Sequence, residues 1–196
     1  MPILYDLLKF LHVLSFVFMS IPLFNIIVVN ERALFGPSFN YHVDRYMENI
    51  IKHGAPRCFV FQGTVLASGI LLLAFGPLGI DAFWSNWIIL IKTVLLIALV
   101  GSLSYVHFAL QPRIDALLAL VQPDSVVPDS LMKELKPLRL RRKRMASFCL
   151  FGVITIIILG LQVYGDFHPL LTTALLISAG LFSWRSSKVL NRFGWF

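Results

Sequence analysis

Five stretches of this chain are each long and apolar enough to cross a bilayer, whose hydrocarbon core of about 30 Å takes about 20 helical residues. They cover residues 4–29, 58–75, 87–110, 145–164 and 169–184. Inside a bilayer the backbone has no water to bond to, so each stretch must satisfy its own N–H and C=O groups as a helix. The expected fold is therefore all-α: an integral membrane bundle of about five transmembrane helices, forming one domain over residues 1–196. A soluble fold is excluded by the shortage of polar side chains. Hydrophobic residues make up 58% of the chain and charged residues 14%, against about 25% charged in an average soluble domain.

The basic residues give an orientation. Arg32, Arg45, Lys52 and Arg57 lie between the first two stretches, and none lies between the second and third. Arg113, Lys133, Lys136 and the run Arg139, Arg141, Arg142, Lys143 and Arg144 lie between the third and fourth. None separates the fourth from the fifth, and Arg185, Lys188 and Arg192 follow it. The positive-inside rule then assigns residues 30–57, 112–144 and the C-terminus to the cytoplasm, with the N-terminus outside, most simply in a bacterial inner membrane. A formal charge of +7 could suggest nucleic acid, but the basic run beside an apolar stretch reads as a membrane anchor. The first stretch is too long for a cleavable leader and lacks a small-residue cleavage pattern. From Ser38 to His53, Val43, Met47, Ile50 and Ile51 recur among charged neighbours, as in an amphipathic helix at the cytoplasmic interface. Ile114 to Val121 reads as further helical turns, and Pro123 to Ser130 as loop.

Ionisable side chains inside such stretches require a partner, a cavity or an escape to the interface. Three stand out: His12 in the first stretch, and Lys92 and His107 in the third. Lys92 follows Trp87 closely enough to snorkel outward, yet His12 lies at a similar depth on the same side. The two together suit a cofactor or proton site. His107 follows Lys92 on one helical face, but about 22 Å further along the axis, so the two cannot share a ligand. His168 belongs to the outer side with His12, and His42 and His53 to the inner side with His107. Haem b needs one or two neutral imidazoles in an apolar slot. His12 and His107 are the candidate iron ligands, and Lys92 a candidate partner for a haem propionate. Gly63, Ser68, Gly69, Gly101 and Ser102 provide small surfaces for close approach, which ordinary helix packing also uses.

Other chemistries have less support. The sequence holds no Walker loop, no GxGxxG and no paired intramembrane carboxylates. Cys58 and Cys149 lack CxxC spacing, so they suggest no zinc site, and a disulfide is unsupported. Copper favours clustered sulfur and histidine, whereas the methionines, at positions 1, 19, 47, 132 and 145, are scattered.

Leu8-Lys9-Phe10-Leu11-His12 before a long apolar run resembles the K-x-L-H opening of a group of small membrane proteins. That group comprises the HemJ-type protoporphyrinogen oxidases and the CopD-type copper-resistance membrane proteins. Trp87-Ile88-Ile89-Leu90-Ile91-Lys92, leading into Thr93-Val94-Leu95-Leu96, resembles the group's lysine early in a later helix. The likeness covers roughly the first 110 residues. It implies a helical bundle in which His12 contributes to a b-haem site with Lys92 nearby. In the HemJ-type enzymes it further implies oxidation of a porphyrinogen, with electrons passed to a membrane acceptor. This chain departs from the group in having no histidine between Asn25 and Arg32, at the end of the first stretch, and in its fifth stretch and long basic segment.

Three functions are thereby open. The first is a haem-b membrane redox protein, exchanging electrons with quinone or acting as an oxidase. The second is a non-catalytic subunit of a respiratory or photosynthetic complex, held by partner subunits in the lipid bilayer. The third is metal-ion transport of the CopD kind.

Overall fold

The computed structural model describes residues 2–35, 39–123, 128–165 and 167–188, and every regular element among them is helical. α1 spans Pro2–Phe35 and α2 Tyr41–Phe75. Asn40 opens α2 with a reciprocal cap: its side chain accepts from Val43 N at 3.1 Å, and its own N–H donates to Asp44 Oδ2 at 2.9 Å. Gly76-Pro77 closes α2, and Gly79, at φ +72°, takes the left-handed conformation in the turn that follows. The short α3, Ala82–Ser85, leads to α4, Trp87–Tyr105, where Asn86 accepts from Ile88 N and Ile89 N. α4 passes through a π-helical turn at Val106–Leu110 into α5, Gln111–Ala119. α6 spans Asp129–Leu161, and α7 Pro169–Lys188.

Among the described residues, four helical segments are long and apolar enough to cross a membrane: Ile3–Val29, Tyr41–Phe75, Trp87–Ala119 and Asp129–Leu161. α1 packs on α2 and α6, α4 packs on α6 and α2, and α7 lies chiefly against α6. Met19, Cys58, Val65, Leu99, Cys149 and Val153 are among the residues filling the centre. Large apolar side chains also cover the outside, including Phe10, Val60, Ile97 and Leu181. Such a surface suits hydrocarbon rather than water.

The start of α1, the end of α2 and the end of α6 meet at one end of the bundle. There Tyr5 Oη lies 2.6 Å from Tyr164 Oη, and a Cβ on Gly76 would meet the Tyr5 ring at 2.8 Å. The first turns of α2 and α6 meet α5 at the opposite end, around Glu48. These are called the Tyr5 end and the Glu48 end.

The structure corrects several boundaries. Residues 30–57 and 112–144 are not plain loops: α1 continues to Phe35, α2 begins at Tyr41 and α6 at Asp129, each in one piece with its apolar stretch. Pro56 and Pro137 lie inside these helices without ending them. The amphipathic segment is the first part of α2 rather than a separate helix, and its two carboxylates are buried along with Ile51. Asp44, Glu48, Ile51 and Ala55 are buried, while Val43 and Ile50 are exposed. Apolar side chains can face lipid freely, but carboxylates must find partners. Arg139, Arg142 and Lys143 are likewise buried, leaving Arg141 and Arg144 outside. Part of the expected loop at Pro123 to Ser130, together with Arg192, lies outside the described residues.

Candidate functional site

His12 is the best-defined polar residue at the Tyr5 end. Its Nδ1 lies 2.9 Å from Ser68 Oγ. Ser68 has a single hydroxyl proton, and its oxygen sits 2.6 Å from the Thr64 carbonyl one turn earlier, so that proton is used within α2. The Ser68 oxygen must therefore accept, and His12 Nδ1 must donate. With the Ser68 oxygen accepting from Nδ1, a neutral His12 is the Nδ1–H tautomer, whose lone pair is on Nε2. A ligating histidine is commonly fixed in this way by its other nitrogen.

Gly69 allows the approach. A Cβ at that position would lie 3.3 Å from His12 Cε1, so the ring rests almost on the backbone of α2. Lys92 comes from α4 and lies against α6, where a Cβ on Gly160 would be 3.4 Å from Lys92 Nζ. His12 and Lys92 are close enough to interact electrostatically. Among the described residues no carboxylate forms an ion pair with Lys92. His12 thus lies against Gly69 of α2, and Lys92 against Gly160 of α6.

His107 is elsewhere. It lies in the π-helical turn, with ring centroids 6.0 Å from Phe59 and 4.8 Å from Phe108. Phe59 precedes Ser68 by nine residues on α2, or about 13 Å along the axis. His107 Nδ1 is buried with no hydrogen-bond partner among the described residues. The buried line of Leu96, Leu99 and Leu103 continues through Val106 and Leu110, with His107 beside it. The other histidines have local roles. His53 Nδ1 contacts the Asn49 carbonyl, His168 Nδ1 accepts from Leu170 N, and His42 stacks edge-on with Tyr41.

The Glu48 end carries a cluster that sequence reasoning missed. Arg142 grips Glu48 with both terminal nitrogens, at 2.6 and 3.0 Å, in the bidentate geometry that favours arginine. Arg139 reaches Glu48 at 3.1 Å and Asp44 at 3.3 Å. Gln111 closes the ring, accepting from Arg142 at 2.7 Å and donating to Glu48 and Asp115. Asp44, Glu48, Gln111, Arg139 and Arg142 are each no more than 3% exposed. The signal was present in the spacing: Asp44 and Glu48 are four apart, Arg139 and Arg142 three apart, so each pair shares a helical face.

The Tyr5 end provides a half-buried imidazole hydrogen-bonded to Ser68 and, among the described residues, a cation with no carboxylate ion-paired to it. Comparison with protein-family models, curated proteins and solved structures gives no match for this chain.

Proposed function

We propose that the chain is a b-type haem protein of the membrane, in which His12 would hold the iron through Nε2 and Lys92 would partner a propionate. The observation that carries this reading is the His12–Ser68 hydrogen bond at 2.9 Å, because an imidazole that donates through Nδ1 has its lone pair on Nε2. Ser68 orients the imidazole, and Gly69 lets it sit against α2. Lys92 supplies positive charge where a propionate would otherwise enter a low-dielectric bundle uncompensated. When bound, the haem supplies one-electron chemistry. A quinone or another membrane carrier is the class of partner suited to receive the electrons, as a separate acceptor or within an oxidase cycle. His107, with its buried and unsatisfied Nδ1, is the candidate for a second ligand site nearer the other end.

In this reading the chain spans the bilayer five times, α7 being the last span. The Glu48 end and the C-terminus are cytoplasmic and the Tyr5 end external, most simply in a bacterial inner membrane. Support comes from the alternation of basic residues between the spans. A second reading, a subunit of a larger membrane complex, draws on the peripheral place of α7 against α6.

Substitution of His12 by alanine tests the main reading. Haem content per folded chain should fall to background, while the variant remains monodisperse in detergent. Full haem occupancy in the His12→Ala variant would contradict it.

A further inference from the structure

α1 and α2 leave a groove between them on the half of the bundle nearer the Glu48 end. Its volume is about 470 Å³, within the range of about 300–1,000 Å³ that small-molecule sites occupy. Pro22 of α1 and Gly54 of α2 line it side by side, since a Cβ on Gly54 would lie 3.8 Å from Pro22 Cβ.

The lining changes character along the helices. Towards the Glu48 end it carries Asn25, Tyr46, Asn49 and His53, with Arg57 one turn further in. Beyond Arg57, Phe61 stacks on Phe18 across the two helices, with ring centroids 5.5 Å apart. From Tyr46 to Phe61 is fifteen residues, about 22 Å along α2. A groove polar at its outer end and aromatic towards the centre of the bundle has the polarity of a membrane lipid, with the headgroup at the surface and the chains towards the middle.

The charge of the groove is of one sign. Among the described residues, the lining holds Arg57 and no carboxylate. Other cations on this part of α2 are engaged elsewhere: Arg45 lies over the Tyr41 ring, and Lys52 pairs with Asp115. No carboxylate forms an ion pair with Arg57 among the described residues. Arg57 is exposed and directly precedes the apolar stretch of α2, the depth at which lipid phosphates lie. Its guanidinium can hold two phosphate oxygens through parallel hydrogen bonds, and the Asn25 and Asn49 amides add neutral donors. Basic pockets between membrane helices are a recurrent site for anionic headgroups.

We propose that this groove binds one anionic phospholipid from the leaflet at the Glu48 end, with Arg57 on the phosphate and an acyl chain along Phe18 and Phe61. The site is separate from His12, since Arg57 precedes Ser68 by eleven residues on α2, about 16 Å along the axis. It stands whether or not haem is bound.

The test is native mass spectrometry of the full chain released from detergent, after titration with phosphatidylglycerol or with phosphatidylcholine of the same acyl chains. The unsubstituted chain should keep one phosphatidylglycerol at concentrations where phosphatidylcholine is lost, a comparison that requires no variant to fold. Arg57→Gln should weaken that retention by about 10–100-fold, the factor carried by a hydrogen bond to a charged group. Arg45→Gln, which removes a cation from the same helix, should leave it unchanged. Glycerophosphoglycerol, the headgroup without acyl chains, should not compete at equal concentration. Equal retention of the two lipids, retention that survives Arg57→Gln, an equal loss in Arg45→Gln, or no lipid on a folded chain would each overturn the proposal. Displacement by the chain-free headgroup would assign the groove to a soluble phosphate ester and overturn it as well.

Discussion

The two ends of this bundle treat buried charge in opposite ways. At the Glu48 end, two carboxylates and two guanidiniums from α2 and α6 satisfy one another, with Gln111 taking up remaining hydrogen bonds. At the Tyr5 end, the His12 imidazole has one nitrogen engaged and the other open, and Lys92 has no carboxylate paired with it among the described residues. In a low-dielectric interior a closed cluster holds helices in register, because removing any member leaves an opposite charge stranded. A half-satisfied cluster holds nothing by itself and gains most from a ligand. The first end is therefore structural, and the second is where chemistry is to be sought.

That contrast can be broken by substitution. The largest effect on stability is expected from Glu48→Ala, which leaves Arg139 and Arg142 buried without their shared carboxylate. It should destabilise the fold by about 3–5 kcal/mol, read as a lower unfolding midpoint in detergent, with haem per folded chain unchanged. The Glu48→Leu, Arg142→Met pair should recover much of that loss, since a well-packed apolar pair can replace a buried ionic one. Next in size is Ser68→Ala. Loss of the partner that fixes the His12 tautomer should weaken haem affinity by about 10–100-fold, with little change in the unfolding midpoint. The smallest effect belongs to Lys52→Ala. Its 3.7 Å bridge to Asp115 is solvent-exposed and should contribute less than about 1 kcal/mol. If Ser68→Ala unfolded the chain while Glu48→Ala did not, the assignment of the two ends would be reversed.

Much of this architecture could be read from the residues. Asn86 and Trp87 mark the start of α4, Gly76-Pro77 the end of α2, and Pro169 the start of α7, because capping, chain reversal and fixed φ are local properties. Contacts that depend on how helices pack were not legible. The Ser68 hydroxyl looked like a small packing surface until its oxygen was seen to accept from His12. Arg139 and Arg142 read as membrane anchors because their partners lie more than 90 residues away on α2. The π-helical turn at Val106–Leu110 has no sequence mark comparable to proline or glycine.

The central claim, a haem held by His12 at the Tyr5 end, is tested most directly by a reduced-minus-oxidised visible spectrum of the purified full chain, with extracted haem quantified per protein. The account predicts a b-type α-band and about one haem per chain at the His12 site. A flat spectrum from a folded, monodisperse sample isolated from haem-replete cells would contradict it.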